Sequence, residues 1–290
     1  MNKKAEIMRE LIKEDGIKLG AGVHDALTAK IAEQVGFDFI WASGLGLSAV
    51  NSVPDASLLT FGDFLPNFSF ISQAVEIPVI ADCDNGYGDI ANAVFTAKQL
   101  VSRTEIAGIC IEDNPYPKRN SLVNGFERLL ISKEEMANKI SSIRDAIGQD
   151  LFIIARCESL IAGQSMELAL ERAGLYAKAG ADAILIHTKD SSGSEAEKIS
   201  GLWNEATPLV TVPTAFPQVS PTKLQELGYS IAIYANQPLR AAVAAVKDAL
   251  FAIKEGKIME LEKNIVPLPE LLKLTSLPYL SMYERETVYK

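Results

Sequence analysis

Two acids, Asp82 and Asp84, flank Cys83 at the end of an apolar run, and the polar turn Asn85-Gly86-Tyr87-Gly88 follows them. Alternation along an extended chain puts both carboxylates on the same side. Like charges so close repel and raise each other's hold on protons. A divalent cation between them relieves that repulsion, and hard oxygen ligands with a few waters suit Mg²⁺. Glu112 ends another apolar run and offers a third carboxylate. One such acid reads equally well as the cap of a following helix. Three of them after buried strands read better as ligands of a metal.

Arg156 and His187 end two later apolar runs. An Arg beside acids is either a structural ion pair or a bidentate clamp for phosphate or carboxylate. His187 is one of only two histidines, and a lone His is more often a satisfied core residue than a catalyst. The other, His24, is read as structural. After Trp41-Ala42 comes the small turn Ser43-Gly44-Leu45. It is an ordinary connection or a nest of amides for an anion, aided by the Ser43 hydroxyl. Asp55, in the stretch NSVPDAS, faces a site or caps the segment from Leu58 onwards. Between Asp113 and Ser132 run 18 residues that include Lys118, Arg119, Asn120 and Ser121. That is long for a strand-to-helix connection, and long loops over barrels are often lids. A lid with cations suits a small anionic substrate; otherwise this is a solvated loop.

These residues need a scaffold that brings strand ends together. Phe37–Ser43, Val79–Asp84, Gly108–Asp113, Phe152–Glu158, Ala183–Thr188, Leu209–Pro213 and Ser230–Asn236 read as strands buried on both faces, as parallel sheets require. Lys18–His24 is a weaker first strand because of its glycines. Helices are expected at Ala26–Val35, between the Asp25 cap and Gly36, and from the Ser132/Glu135 capping box to about Ala146. Two more fall at Glu167–Ala179 and Leu239–Lys254. Polar residues on so many strand ends favour an α/β fold of the (β/α)8 TIM-barrel type, whose strand ends share one rim, over an open doubly wound sheet. No GxGxxG or GxxxxGKS element appears. The reading assigns residues 1–255 to the barrel and 256–290 to a C-terminal helical extension. The leucines of LPELLKLTSLPYL must be buried somewhere, and a partner subunit is the expected place.

Composition sets limits. Of 290 residues, 48% are hydrophobic and 22% charged, which excludes disorder. A net charge of −9 argues against nucleic acid and anionic membrane as partners. Cys83, Cys110 and Cys157 all lie in apolar runs, so buried thiols are expected. The N-terminus is charged without an apolar signal core, and no stretch reaches the ~18 apolar residues of a membrane span. The expected location is the cytoplasm.

Several stretches, in order from about Gly20 to Arg240, resemble the phosphoenolpyruvate mutase and isocitrate lyase superfamily. They are GVHDALTAKIAEQVGFDFIWASGLGLS, DCDNGYGD, IEDNPYPKRNSL, ARCESLIAG, ADAILIHTK, VPT and ANQPLRA. The resemblance implies a (β/α)8 barrel, Mg²⁺ and a small anionic 2-oxo or enol acid substrate. It also implies a homo-oligomer, a dimer or a dimer of dimers, with C-terminal helices swapped between subunits. Asp82 would bind Mg²⁺, with Asp84, Glu112 and Asp55 holding its waters. Ser43, Gly44 and Leu45 would hold the substrate carboxylate, and Trp41 would wall the pocket. Arg156 and His187 would hold phosphoryl oxygens, helped by Lys118, Asn120 and Ser121. Whether Asp55 accepts the phosphoryl group or only orients its neighbours stays open.

The long loop separates the branches of that superfamily. Its lyases carry a catalytic Cys in a K-[KR]-C-G-H loop; here Asn120 and Ser121 replace the Cys and Gly. The mutase branch reads EDK, five residues, NS. This chain reads Glu112-Asp113-Asn114, five residues, Asn120-Ser121, so Asn114 replaces the Lys. The related phosphonopyruvate hydrolases tend to carry Thr at position 120. The pattern leans towards Mg²⁺-dependent interconversion of phosphoenolpyruvate and phosphonopyruvate. Hydrolysis of phosphonopyruvate, or C–C hydrolysis or decarboxylation of an oxaloacetate-type acid, is the alternative on the same site.

Overall fold

The computed structural model describes residues 2–120 and 128–275. It opens with α1 (Lys3–Leu11), β1 (Lys18–Val23), α2 (Ala26–Val35), β2 (Phe39–Ala42), α3 (Gly44–Val50) and α4 (Phe61–Gln73). Next come β3 (Val79–Asp82), α5 (Ile90–Arg103), β4 (Gly108–Glu112), α6 (Lys133–Ile147), β5 (Phe152–Cys157) and α7 (Met166–Lys178). The series continues with β6 (Ala183–Ile186), α8 (Ser194–Leu202), β7 (Leu209–Thr211), α9 (Pro221–Glu226), β8 (Tyr229–Tyr234) and α10 (Gln237–Lys254). Two short helices, α11 (Ile258–Leu261) and α12 (Leu268–Thr275), follow. The eight strands pair in parallel, each with its sequence neighbour, and β1 closes on β8. This is the expected (β/α)8 barrel.

Alternation divides the strand residues between two cores. Phe39, Trp41, Ile80, Cys110, Phe152, Ile154, Leu185, Val210, Ile231 and Ile233 point inward and fill the barrel. Ile40, Ala42, Val79, Ala81, Ile109, Ile111, Ile153, Ala155 and Ile184 point outward and pack under the helices. Continuing the inward series by two residues gives Ser43, Asp82, Glu112, Arg156 and His187. The apolar barrel interior therefore turns into the polar rim along the same rows of side chains. The glycines that weaken β1 as a strand answer to packing. A Cβ on Gly20 would lie 2.3 Å from the Phe39 ring, and one on Gly22 would lie 2.1 Å from the Ala235 carbonyl oxygen.

The opposite end is closed by α1, an element the sequence reading passed over as merely charged. Met8 is fully buried in the barrel-interior cluster, worth about 2–3 kcal/mol for a side chain of its size. Asn2 caps the helix by accepting from the Lys4 amide. Arg9 ties it down through Asp182 at 3.0 Å and the carbonyls of Gln149 and Leu151 at 2.7 Å each.

Most strands end one or two residues before the expected limits, because the ladder stops where the loops diverge over the rim. Asp84, Asp113, Glu158, Thr188 and Asn236 thus lie just past hydrogen-bonded strand. Helix α2 has the expected bounds, capped by the Asp25 side chain and stopped by Gly36 in left-handed conformation. Ser132 accepts from the Glu135 amide at 3.0 Å, the first half of the expected capping box. By internal contacts the chain forms one compact unit, Met1–Leu239, and a second, Arg240–Lys290. Among the described residues, no helix is long and apolar enough to cross a membrane.

Candidate active site

A small cleft of about 80 Å³ opens on the rim formed by the C-terminal strand ends. Its lining includes Trp41, Ser43, Leu45, Asp55, Asp82, Glu112, Lys118, Asn120, Arg156 and His187. The structure therefore brings ten of the residues expected from sequence into one cavity. Asp84 and Gly44 stand immediately behind that surface. Ser121 lies outside the described residues.

The acids are not free. Lys118 reaches from the loop after β4 and pairs with Asp84, and it lies 2.8 Å from Asp55 Oδ1. Asn120 Nδ2 donates to Asp55 Oδ2 at 2.7 Å. The Lys118 amide donates to Ser57 Oγ at 2.9 Å. Asp55 therefore caps no helix; it anchors this loop over the cleft. Gly44 N–H donates to Asp82 Oδ2 at 3.2 Å, and Ser43 Oγ accepts from Gly46 N–H at 3.1 Å. The turn expected as an anion nest thus spends one amide on Asp82. Ser43 and Leu45 still line the cavity.

Glu112 accepts from Asn114 Nδ2 at 2.8 Å and lies 3.3 Å from Arg156 Nε. Arg156 also pairs with Glu158. Glu158 is 2.7 Å from His187 Nδ1, and Arg156 Nη2 is 2.9 Å from the same nitrogen. One ring nitrogen cannot donate to the carboxylate and accept from the guanidinium at once. The carboxylate is the stronger partner, so Nδ1 carries its hydrogen towards Glu158 and Nε2 is left for the cavity.

Burial and charge set the electrostatics. Burial, reinforced by Asp82, Asp55 and Glu112 and opposed by Lys118, pushes the Asp84 carboxyl up to about 8. Burial also raises Glu112, against the pull of Arg156 and Lys118. Burial pulls the Lys118 ammonium down, but Asp84, Glu112, Asp55 and Asp82 outweigh it and hold it well above the ordinary lysine value. Four acids (Asp55, Asp84, Glu112 and Glu158) share two cations, Lys118 and Arg156, and Asp82 adds a fifth with no ion pair among the described residues. Among the described residues, no three metal-ligating side chains converge as a finished cage. The surplus negative charge and the all-oxygen donor set nevertheless fit a hard divalent cation, with Asp82 the acid least committed to a protein cation. The three cysteines are buried and none lines the cleft.

Behind the wall, Asp113 accepts from the Glu158 amide at 2.8 Å, Tyr176 Oη at 2.7 Å and Arg172 Nη1 at 3.2 Å. Burial raises its pKa to about 6. This network holds the β4 and β5 ends in register. His24 does not line the cleft. Its Nδ1 has no partner among the described residues.

Sequence reasoning gave no role to Glu158, Val212, Thr214, Ala235 or Asn236. All but Glu158 line the cleft. The inward alternation carries the signal for most of them: Arg156 to Glu158, Val210 to Val212 and Thr214, Ile233 to Ala235.

A cleft lined by acids, cations and a histidine on the C-terminal rim of a (β/α)8 barrel defines the enzyme-bearing end of that fold. A family model described as phosphoenolpyruvate phosphomutase matches residues 8–254. Phosphoenolpyruvate phosphomutase of Tetrahymena pyriformis is 34% identical over 274 residues, which cover 94% of this chain and 91% of that protein. Phosphonopyruvate hydrolase of Variovorax sp. (strain Pal2) is 36% identical over 274 residues, covering 93% and 94%. Among solved structures, phosphoenolpyruvate phosphomutase from Streptomyces platensis subsp. rosaceus superposes with a TM-score of 0.94 at 36% identity, covering 98% of this chain and 99% of that one. A phosphonopyruvate hydrolase complex with oxalate and Mg²⁺ gives 0.89 at 34% identity, covering 99% of both. The chain belongs to the phosphoenolpyruvate phosphomutase family and is an enzyme of the phosphoenolpyruvate mutase/isocitrate lyase superfamily.

Proposed function

We propose that this enzyme interconverts phosphoenolpyruvate and phosphonopyruvate, with Mg²⁺ as its cofactor. The observation that carries the reading is the Asp55–Lys118–Asn120 cluster, which draws the loop after β4 into the cleft. Asn120 is the position at which the loop pattern leans away from the hydrolases. When bound, Mg²⁺ would polarise the oxygens of the 2-oxo acid and stabilise the enolate. Asp82 would hold it directly, with Asp84 and Glu112 orienting its waters.

The chain's own residues supply the rest. Ser43 and the Leu45 amide hold the carboxylate. Arg156 and His187 Nε2 face the phosphoryl oxygens, with Glu158 fixing both side chains. Trp41 floors the pocket. The C–P bond breaks as the enolate leaves, and the same phosphoryl group then bonds to the enol oxygen. No atom or proton is added or lost. Such transfer depends on positioning and charge neutralisation, and Lys118 and Asn120 must keep water away from the migrating group.

Hydrolysis is the second reading, favoured by two buried polar atoms in the cleft, Thr214 Oγ1 and Asn236 Oδ1. Neither has a partner among the described residues. Water can donate to Asn236 Oδ1, which the ionised substrates cannot, and can accept from the Thr214 hydroxyl. Phosphorus NMR of phosphonopyruvate with protein and Mg²⁺ separates the readings. The proposal expects phosphoenolpyruvate; free phosphate means a hydrolase, and an unchanged spectrum moves the substrate to a carboxylic acid.

The same reading includes a homo-oligomer. Helix α10 buries none of its residues within the chain. Val243, Val246, Leu250 and Ile253 on it are all more than half exposed, a face suited to a second copy. Sedimentation of the full chain as a monomer at micromolar concentration would remove this part of the proposal.

A further inference from the structure

Helix α6 carries one charged residue on its buried face. Lys139 lies between Met136, Ile140 and Ile143 and is only 2% exposed. Its Nζ donates to the carbonyl of Asn85 at 2.7 Å and that of Gly88 at 3.0 Å. Among the described residues, no carboxylate forms an ion pair with it. Burial pulls the ammonium below the ordinary lysine value. An apolar side chain of similar length would fill this place without burying a charge. Something other than packing is needed to account for a lysine here.

The two carbonyls bracket an unusual turn. Asp84 has φ +51°, Gly86 +83°, Tyr87 +60° and Gly88 +149°. Left-handed backbone at two non-glycine residues is strained and persists only where its surroundings enforce it. Helix α5 closes on the turn from one side: a Cβ on Gly86 would sit 2.6 Å from the Ala93 Cβ. At its start, Asp84 presents its carboxylate to Lys118, and its carbonyl accepts from the Glu112 amide at 2.8 Å. The turn therefore sets both the direction of Asp84 and the spacing of the β3 and β4 ends.

We propose that Lys139 is a positioning residue whose ammonium, clamped on the Asn85 and Gly88 carbonyls, holds the 84–88 turn in the one conformation that aims the Asp84 carboxylate into the active site. It touches neither substrate nor metal. Its consequence for metal binding rests on the metal reading above, but its effect on the turn does not. Lys139→Met keeps the length and removes the clamp. Lys139→Gln keeps a donor for one carbonyl.

The test has three readouts on the full-length protein. Hydrogen exchange in the peptide spanning residues 84–89 is expected to quicken at least tenfold in Lys139→Met, with the rest of the barrel unchanged and the melting temperature lowered only modestly. Mn²⁺ affinity, read by electron paramagnetic resonance, is expected to fall about tenfold. Turnover of phosphonopyruvate should lose kcat more than it gains KM. Lys139→Gln should recover part of each. Unchanged exchange at 84–89 in Lys139→Met would overturn the proposal. So would a large drop in melting temperature shared by both variants, which would make Lys139 a stability residue. A wild-type protein that binds no Mn²⁺ or leaves phosphonopyruvate untouched would instead overturn the functional reading, and the exchange experiment would still decide this one.

Discussion

The two halves of the barrel rim differ in kind. In a closed ring of eight strands, β7 lies across from β3 and β8 across from β4. The β3–β6 arc ends in Asp82, Glu112, Arg156, Glu158 and His187, nearly all held by protein partners. The β7–β8 arc ends in Val212, Thr214, Ala235 and Asn236, which are uncharged. On the proposed function, one side is a preorganised electrostatic clamp that would stabilise developing charge. The other is a neutral wall that would shape the volume of the substrate. On that reading the division teaches that chemistry and selectivity would vary separately: substitutions on the first arc are expected to stop the reaction, and those on the second to retune it.

The first way to break this contrast is Asp82→Ala. Loss of Mg²⁺-dependent turnover on the order of a thousandfold or more is expected, with an unchanged circular dichroism spectrum. Survival of near wild-type rates would take the metal out of the charged arc. Asn120→Ala comes next. It releases the loop from Asp55 and should lower kcat about 100-fold, the scale of a misplaced catalytic contact. Steady-state kinetics that match wild type would remove the loop from the reaction. Met8→Ala probes the far end of the same barrel. A stability loss of about 2–5 kcal/mol, measured by urea denaturation, should come with kcat little changed. A collapse of kcat in folded protein would show that floor and rim are not independent. The smallest effect belongs to the neutral arc. Thr214→Val should alter turnover by about tenfold or less, since it removes at most one ordinary hydrogen bond. A hundredfold loss there would erase the contrast between the arcs.

Sequence patterning reached the barrel and most of the clamp for one physical reason. Strands buried on both faces read as continuous apolar runs, and an acid or arginine at the end of such a run stands out. Asp82, Glu112, Arg156 and His187 were legible on that ground. The neutral arc was not: Val212 and Ala235 look like any strand residue, and only their inward phase marks them. Helix α1 was missed because its buried residues, Ala5 and Met8, sit amid charge. Lys139 was hidden in an amphipathic helix, where a lysine reads as surface. The pairing of Asp55 with Lys118 and Asn120 joins loops far apart in sequence, and no local pattern encodes such a contact.

The most direct test of the whole account is a crystal structure of the protein with Mg²⁺ and oxalate, the latter standing in for the pyruvate enolate. The account predicts the ion beside Asp82, within water-bridging reach of Asp84 and Glu112, with oxalate against Ser43 and Arg156. Oxalate bound elsewhere, or an ion that leaves these carboxylates paired only with Lys118 and Arg156, would contradict it.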